Sequence, residues 1–248
     1  MQLSSLDVTT GNSEVLIVLP AFNEADSVAQ VVRSARSVFP TAEILVVDDG
    51  STDSTAEIAK GVGATVISHP FNLGYGAALQ TGYKYAVRKG YDYLIQMDAD
   101  GQHEPGCAPN LLRAVQADEL DVAIGSRFLG ESPFRAGIGR RLGMALFRAI
   151  VSVITGQKIS DPTSGFQALG KKAFKYCTTD IFPMDYPDAD VVITLHQAGF
   201  RIGEVPVIMY ANKNGKSMHQ GLRPIYYLLK MMLSIFVTLL RGRDAEGQ

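Results

Sequence analysis

The sequence predicts an α/β protein: a single domain with a Rossmann-like, mostly parallel central sheet and helices on both faces. Three observations predict it. Short apolar runs alternate with segments of helical periodicity, the pace of consecutive βαβ units. Two of these runs end in paired carboxylates, at the strand ends where open α/β sheets bind ligands. The 248 residues suffice for one full core.

Val15 to Leu19 is the first apolar run, ended by Pro20, and Asp26 to Val38 then repeats Val28, Val31, Val32 and Ala35 at helical spacing. Ile44 to Val47 is the second strand, closed by Asp48-Asp49-Gly50. Ser51-Thr52-Asp53 caps a helix over Ser54 to Lys60. A third strand at Ala64 to Ser68, a loop at Asn72 to Gly76, a helix at Ala77 to Arg88 and a fourth strand at Tyr91 to Met97 follow. Beyond them come a helix near Pro109 to Gln116, a strand at Val122 to Ser126 and a helix at Arg140 to Thr155. The loop Ser160 to Gly165, a helix at Ala189 to Ala198 and a strand at Arg201 to Met209 complete the pattern, without internal repeat or low-complexity linker.

A net charge of -2 and the lack of a dense basic run argue against nucleic acid as a partner. Cys107 and Cys177 lie far apart without metal-ligand spacing, which fits a reducing compartment better than a disulfide framework or a zinc site. Met1 to Ser13 is polar and lacks the apolar core of a secretory signal, so the expected location is cytoplasmic. Pro224 to Leu240 is the most apolar stretch. Lys230, Ser234, Thr238 and Arg241 form one narrow polar stripe on it, which suits burial but not a membrane span. Its apolar faces are covered either by protein, the chain's own core or a partner subunit of a homo-oligomer, or by a membrane interface.

Met97-Asp98-Ala99-Asp100-Gly101-Gln102-His103 is the most informative motif. Two carboxylates at a strand end are hard oxygen ligands, suited to Mg²⁺ or Mn²⁺ whose shell is completed by substrate phosphates. Read alone, Asp-x-Asp-Gly is also an ordinary polar turn. Asp48-Asp49-Gly50-Ser51-Thr52-Asp53 can accept hydrogen bonds from a base edge or ribose, or serve as a capped turn. Asn72-Leu73-Gly74-Tyr75-Gly76 matches a dinucleotide glycine fingerprint poorly, since Leu79 stands at the third glycine position and the loop follows the third strand. Arg127, Arg135, Arg140 and Arg141 offer guanidinium groups for phosphate, or solvated surface. Asp161-Pro162-Thr163-Ser164-Gly165-Phe166 is a turn whose Asp or Thr could touch a sugar hydroxyl. Asp188 and Asp190 precede an apolar helix, where capping and an acid near a reacting sugar are alternative readings. Lys213 and Lys216 stand on a glycine loop suited to a pyrophosphate lid.

Taken in order, Leu19-Pro20-Ala21-Phe22-Asn23-Glu24, Val46 to Asp53, Met97 to His103, Gly125-Ser126-Arg127-Phe128, Asp161 to Phe166 and Gly203-Glu204-Val205-Pro206-Val207 strongly resemble a family-2 glycosyltransferase. Within it the chain looks most like the polyprenyl (dolichyl) phosphate mannosyl- and glucosyltransferases. The resemblance covers residues 15 to about 240. It implies the glycosyltransferase A fold over 14–221, flanked by a flexible tail at 1–13, an amphipathic helix at 222–241 and a tail at 242–248. It further implies a GDP- or UDP-sugar donor, Mg²⁺ or Mn²⁺, inversion at the anomeric carbon and a polyprenyl phosphate acceptor.

Carried over by position, Pro20, Phe22, Glu24 and Asp49 would line the nucleoside pocket, with Val47 and Asp48 beside them. Asp98, Ala99, Asp100 and Gln102 would hold donor and metal, with Asp98, Asp100 and Gln102 as the metal set. Arg127, with Arg140 or Arg141, matches arginines used for donor or acceptor phosphate, and Asp188 and Asp190 fall on the acceptor side. Asp190 would orient an anionic phosphate acceptor, whereas for a sugar hydroxyl Asp190 or Asp188 becomes the general-base candidate. Two departures stand out: the family's late Arg-x-x-Gly-x-Ser reads Asn212-Lys213-Asn214-Gly215-Lys216-Ser217, and the long membrane spans of many relatives are missing. Lys213 or Lys216 would then substitute for the arginine. The C-terminal helix or a small membrane protein would bring the enzyme to the inner face of the cell membrane.

Three other readings compete. A processive polysaccharide synthase would carry a Gln-x-x-Arg-Trp motif, and the chain has no tryptophan. A sugar-nucleotide pyrophosphorylase would need a glycine-rich loop and lysine at the first strand, where Pro20-Ala21-Phe22-Asn23-Glu24 stands. A catalytically inactive nucleotide-sugar-binding subunit could keep the fold, but intact Asp98 and Asp100 oppose it.

Overall fold

A computed structural model describes residues 15–130, 138–184, 187–210 and 230–240. Its seven strands are β1 (Val15–Ala21), β2 (Glu43–Asp48), β3 (Thr65–Ser68), β4 (Tyr93–Gln96), β5 (Val122–Ser126), β6 (Gln167–Gly170) and β7 (Ile202–Pro206). They form one sheet in the order β3-β2-β1-β4-β6-β5-β7. All run parallel except β6, which lies antiparallel between β4 and β5.

The helices are α1 (Val28–Val38), α2 (Thr55–Gly61), α3 (Tyr75–Lys89), α4 (Ala108–Gln116), α5 (Ile138–Thr155), α6 (Lys171–Tyr176), α7 (Ala189–Gln197) and α8 (230–240). The apolar runs are continuous because the sheet is buried on both faces. Leu16, Val18, Leu45, Val47 and Leu94 pack with α3, α5, α6, α7 and α8 on one side. Their neighbours Ile17, Leu19, Ile44, Val46 and Ile95 pack with α1, α2 and α4 on the other. Among the described residues no helix is long and apolar enough to cross a membrane.

Pro20 does not end β1, which continues to Ala21 with Pro20 opposite Val47 of β2. A proline is tolerated here because the β4 pairing stops at Val18–Gln96. By strand alternation the N–H that Pro20 lacks would point to the side where β4 has already ended. β6 and α6 have no counterpart among the sequence expectations. Four residues, the last of them Gly170, are too short to show a period, and β6 owes its conformation to the two strands it joins.

At the edge of the sheet away from the ligand-binding end, Glu43 accepts hydrogen bonds from Thr65 Oγ1 (2.7 Å), Tyr85 Oη (2.6 Å) and the Tyr91 hydroxyl. Burial pushes its carboxyl up, but the three hydroxyls together outweigh that and leave it below the ordinary value. A carboxyl lowered in the folded state adds stability that is full above its unfolded pKa and lost as pH falls through the folded one. Glu43→Gln is therefore expected to cost about 1 kcal/mol at pH 7. The deficit relative to wild type should shrink below the ordinary carboxyl value of 4.5, as read from urea unfolding at several pH values. A deficit independent of pH would assign the cost to packing alone.

Candidate active site

The carboxyl ends of β1, β2 and β3 and their following loops enclose a cleft of about 620 Å³. Phe22, Asp48, Gly50 to Asp53 and His69 to Asn72 are among its lining residues, and Phe22 (44 % exposed) and Phe71 (63 %) present apolar faces there. Asp48 receives the Ser51 amide on Oδ1 at 3.1 Å and lines the cleft, so Oδ2 remains an acceptor for a base N–H or a ribose hydroxyl. Glu24 holds its amide on Thr55 Oγ1 (2.8 Å) and its carboxylate on Ser27 Oγ (2.7 Å). Its carboxyl is raised, first by burial and then by Asp100, Asp98 and Asp53, partly offset by Ser27. That places Glu24 within electrostatic reach of the carboxylate pair after β4.

Several expected pocket residues stand elsewhere. Asp49 is buried, and its carboxylate accepts the Leu73 and Gly74 amides (both 2.9 Å) and meets His69 Nδ1 at 2.7 Å. It therefore shapes the cleft by anchoring the 69–74 loop, with its oxygens already engaged. Gly50 completes this fastening. Its φ of +70° and the Phe71 carbonyl carbon 2.5 Å from where a Cβ would sit admit glycine alone. The side chains of Val47 and Ala99 are buried in the core on opposite faces of the sheet, so only their main chains can meet a donor. Pro20 is likewise buried.

Asp98 and Asp100 follow β4 on its turn into solvent, and the Asp98 side chain keeps 30 % of its surface open. Tyr75 Oη, at the start of α3, donates to Asp98 Oδ1 at 2.7 Å. Burial and then the Asp98 charge raise the Tyr75 phenol well above its ordinary value, so it stays a donor. The Asp98 amide donates to His103 Nδ1 at 3.1 Å, and the His103 ring stacks on Phe166 at 4.9 Å. Burial lowers His103 to about 4. The ring is neutral at pH 7, and its Nε2 lies 3.6 Å from Asp98 Oδ2 as a long contact without an ion pair. Asp100 accepts the Gln102 amide on Oδ1 at 2.9 Å and the Gln102 side-chain amide on Oδ2. Segment 207–210 locks this turn through Glu104 N–H to Ile208 (3.2 Å) and Tyr210 N–H to Gln102 (2.8 Å).

Burial raises Asp98, partly offset by the Tyr75 bond and by Arg127. Burial raises Asp100 as well, followed by the Asp98 charge. Two hard carboxylates on one turn, the charge of Asp98 disfavouring ionisation of Asp100, fit a divalent cation. Among the described residues no three His, Cys, Asp or Glu side chains gather around one point. The donor set therefore suits an ion that takes the rest of its shell from phosphate and water.

Arg127 directly follows β5 and is buried against fully buried Asp161, with Nε–Oδ2 2.6 Å and Nη2–Oδ1 3.2 Å. Asp161 and Ser160 in turn give their amides to Glu204 of β7 at 2.6 and 2.7 Å. The turn 161–165 is thus the mount of the arginine, whose positive charge partly offsets the rise of the Asp98 carboxyl. Arg141 is exposed on the first turn of α5, while the side chain of Arg140 lies outside the described part of the chain. Arg135, Arg241, Lys213 and Lys216 also lie outside the described residues.

Asp190 was expected to face an acceptor, yet it is completely buried. Its Oδ1 accepts the amides of Asp188 (3.1 Å) and Val191 (2.9 Å), and its Oδ2 accepts Ser234 Oγ from α8. Burial raises its carboxyl against these bonds. Asp188 is the partly exposed acid of the two, and its charge contributes to the rise of Tyr75, which places it on the Asp98 side. Sequence reasoning missed Tyr75 and Ser234 as partners of the site carboxylates, and it offered Asp161 to a sugar hydroxyl where the buried carboxylate instead holds Arg127. Gly74-Tyr75-Gly76, a bulky ring held between two glycines, was the one local signal for Tyr75.

The family model described as "Glycosyl transferase family 2" matches residues 16–178. The polyprenol monophosphomannose synthase of Mycolicibacterium smegmatis is 31% identical over 217 residues, covering 83% of this chain and 81% of its own. The undecaprenyl-phosphate mannosyltransferase of Micrococcus luteus is 29% identical, with 84% of this chain and 88% of its own covered. A solved structure of Mycobacterium tuberculosis glucosyl-3-phosphoglycerate synthase with Mn²⁺ and UDP-glucose superposes with a TM-score of 0.66. It covers 90% of this chain and 79% of that one at 22% identity, a likeness of fold. The sheet with its reversed β6 is the glycosyltransferase A fold. A family match across β1 to α6, with the carboxylate turn of β4 inside it, identifies the chain as an enzyme that belongs to glycosyl transferase family 2.

Proposed function

We propose that this glycosyltransferase moves a hexose, with inversion and with Mg²⁺ or Mn²⁺, from a GDP- or UDP-sugar to a polyprenyl phosphate at a membrane surface. One observation carries the reading: Asp98 and Asp100 stand on one turn after β4, with the Arg127 charge acting on Asp98, while α8, bonded through Ser234 to Asp190, presents an apolar outer face. The names of the two mannosyltransferase relatives supply the acceptor class.

In this reading Asp48 and the aromatic rims of the cleft hold the nucleoside, and Asp49 keeps the 69–74 loop in place behind it. Asp98 and Asp100, with Gln102 beside them, would hold the cation, which when bound neutralises charge on the departing diphosphate. Arg127, held on its Asp161 mount, is proposed to supply positive charge to the donor or acceptor phosphate. Arg140, Arg141, Lys213 and Lys216 are proposed as further phosphate contacts. Asp188 orients the acceptor, and Asp190 fixes the turn that carries Asp188.

Incubation with GDP- and UDP-hexoses, Mn²⁺ and a short-chain polyprenyl phosphate, with products read by mass spectrometry, tests the reading directly. A glycosylated lipid phosphate is expected. Hydrolysis or transfer only to sugar hydroxyls would overturn the acceptor. Asp188→Asn sharpens the choice, because a phosphate is already anionic and needs no strong base. It should cost about tenfold or less in kcat with donor affinity unchanged. A hydroxyl acceptor would instead make Asp188 a general base, with losses of about 10²–10⁴-fold.

A further inference from the structure

We infer that Tyr75 is a positioning residue that leaves Asp98 a single oxygen for the cation, an inference that rests on the metal–diphosphate reading of the β4 turn. The hydroxyl of Tyr75 donates to Asp98 Oδ1 at 2.7 Å. That oxygen is thereby engaged by a donor, and Oδ2, with His103 Nε2 3.6 Å away, is the one left to a cation. Tyr75 itself is held from behind. Gln96 Nε2 approaches its hydroxyl at 3.4 Å, and Gln96 Oε1 accepts from Tyr83 Oη at 2.5 Å. Gln96 and Tyr83 are both buried, and Tyr83 packs edge-on against Phe182 at 5.4 Å. A line of side chains thus runs from the α3–α6 core to the carboxylate, and each member is oriented by the one before it.

The far side is closed by Gly165. A Cβ there would lie 2.7 Å from Tyr75 Oη and 3.2 Å from each Asp98 oxygen, so main chain of the 161–165 turn runs directly over the pair. The same turn mounts Arg127 through Asp161. Tyr75 therefore fixes which Asp98 oxygen is left for a cation. Groups that orient a ligand carboxylate commonly account for about 10–100-fold in metal affinity.

Mn²⁺ binding to the full chain, followed by electron paramagnetic resonance with Mn²⁺ alone and with Mn²⁺ plus UDP or GDP, tests the role without any turnover. Tyr75→Phe keeps the ring and deletes only the hydroxyl. Its Mn²⁺ dissociation constant should rise about tenfold, while binding of UDP or GDP without metal stays within twofold of wild type. In transfer assays the Mn²⁺ requirement should move to higher concentration, with kcat at saturating Mn²⁺ little changed. Gly165→Ala, which drives a methyl between Tyr75 and Asp98, should shift Mn²⁺ affinity the same way and replaces the phenylalanine variant should that fail to fold. Unchanged Mn²⁺ affinity in folded Tyr75→Phe would overturn the positioning role alone. A wild type that binds no Mn²⁺ under any of these conditions would overturn the cation clamp and this role with it.

Discussion

Asp100→Ala is expected to bring the affinity for a nucleotide sugar in Mn²⁺ down to its metal-free level and to lower transfer by about 10²–10³-fold, the scale of losing several kcal/mol of charge neutralisation. The fold should survive. Asp100 stands on a turn, and its bonds within the described chain go to Gln102, two residues away. Its charged form is disfavoured first by burial and then by Asp98. Removing it relieves that repulsion, so the variant should melt at or above the wild-type temperature while losing function. This is the exchange expected of a site that keeps like charges together for a ligand. Calorimetric titration of UDP- and GDP-sugars with and without Mn²⁺, beside a thermal melt, measures both halves. Unchanged affinity in Mn²⁺ would remove the carboxylate pair from the donor site, and a large drop in melting temperature would make Asp100 a structural turn residue.

What the sequence made legible follows the length and chemistry of each signal. β5 matches its expected span of Val122 to Ser126, and β1, β2 and β4 agree within two residues at either end, because runs of fully buried side chains leave little ambiguity. β6 and α6 escaped because four to six residues carry no usable period, and their conformation comes from neighbours distant in sequence. The carboxylate turn was legible for the same reason as β4, since a strand end fixes where the next residues point. The division of labour inside each pair was not. Nothing in Asp48-Asp49 says that one acid keeps an oxygen toward the cleft while the other is consumed by the 69–74 loop. Nothing in Asp188-Ala189-Asp190 says that the second is buried under a helix more than forty residues away. Those outcomes depend on long-range hydrogen bonds, which leave no local pattern.

α8 shows the same limit and leads to the second large effect. Its polar stripe was legible, but not the direction the stripe faces. Met231 and Ile235 are buried in the core, with Ser234 between them bonded to Asp190, while Leu233 (62 % exposed), Phe236 (58 %) and Leu240 (48 %) point away from the protein. The helix is thus seated by its inner face and leaves its larger apolar groups uncovered. Burying a leucine or phenylalanine side chain is worth about 1.5–3 kcal/mol. Two such groups set into a lipid interface would therefore contribute on the order of 10²-fold or more in binding.

Replacing Leu233 and Phe236 together with Asp should release the protein from phosphatidylglycerol–phosphatidylethanolamine vesicles in a sedimentation assay. Nucleotide-sugar binding should not change, and the melting temperature should move little, since exposed substitutions seldom alter stability by more than about 0.5 kcal/mol. Met231→Asp, placed on the inner face, is the opposing control: it should destabilise the domain, because it sets a carboxylate among the core side chains that hold α8. Wild-type protein that never sediments with vesicles would remove the membrane from this account. Unfolding of the Leu233→Asp/Phe236→Asp variant would show that the outer face is covered by protein, in which case a soluble acceptor becomes the better reading.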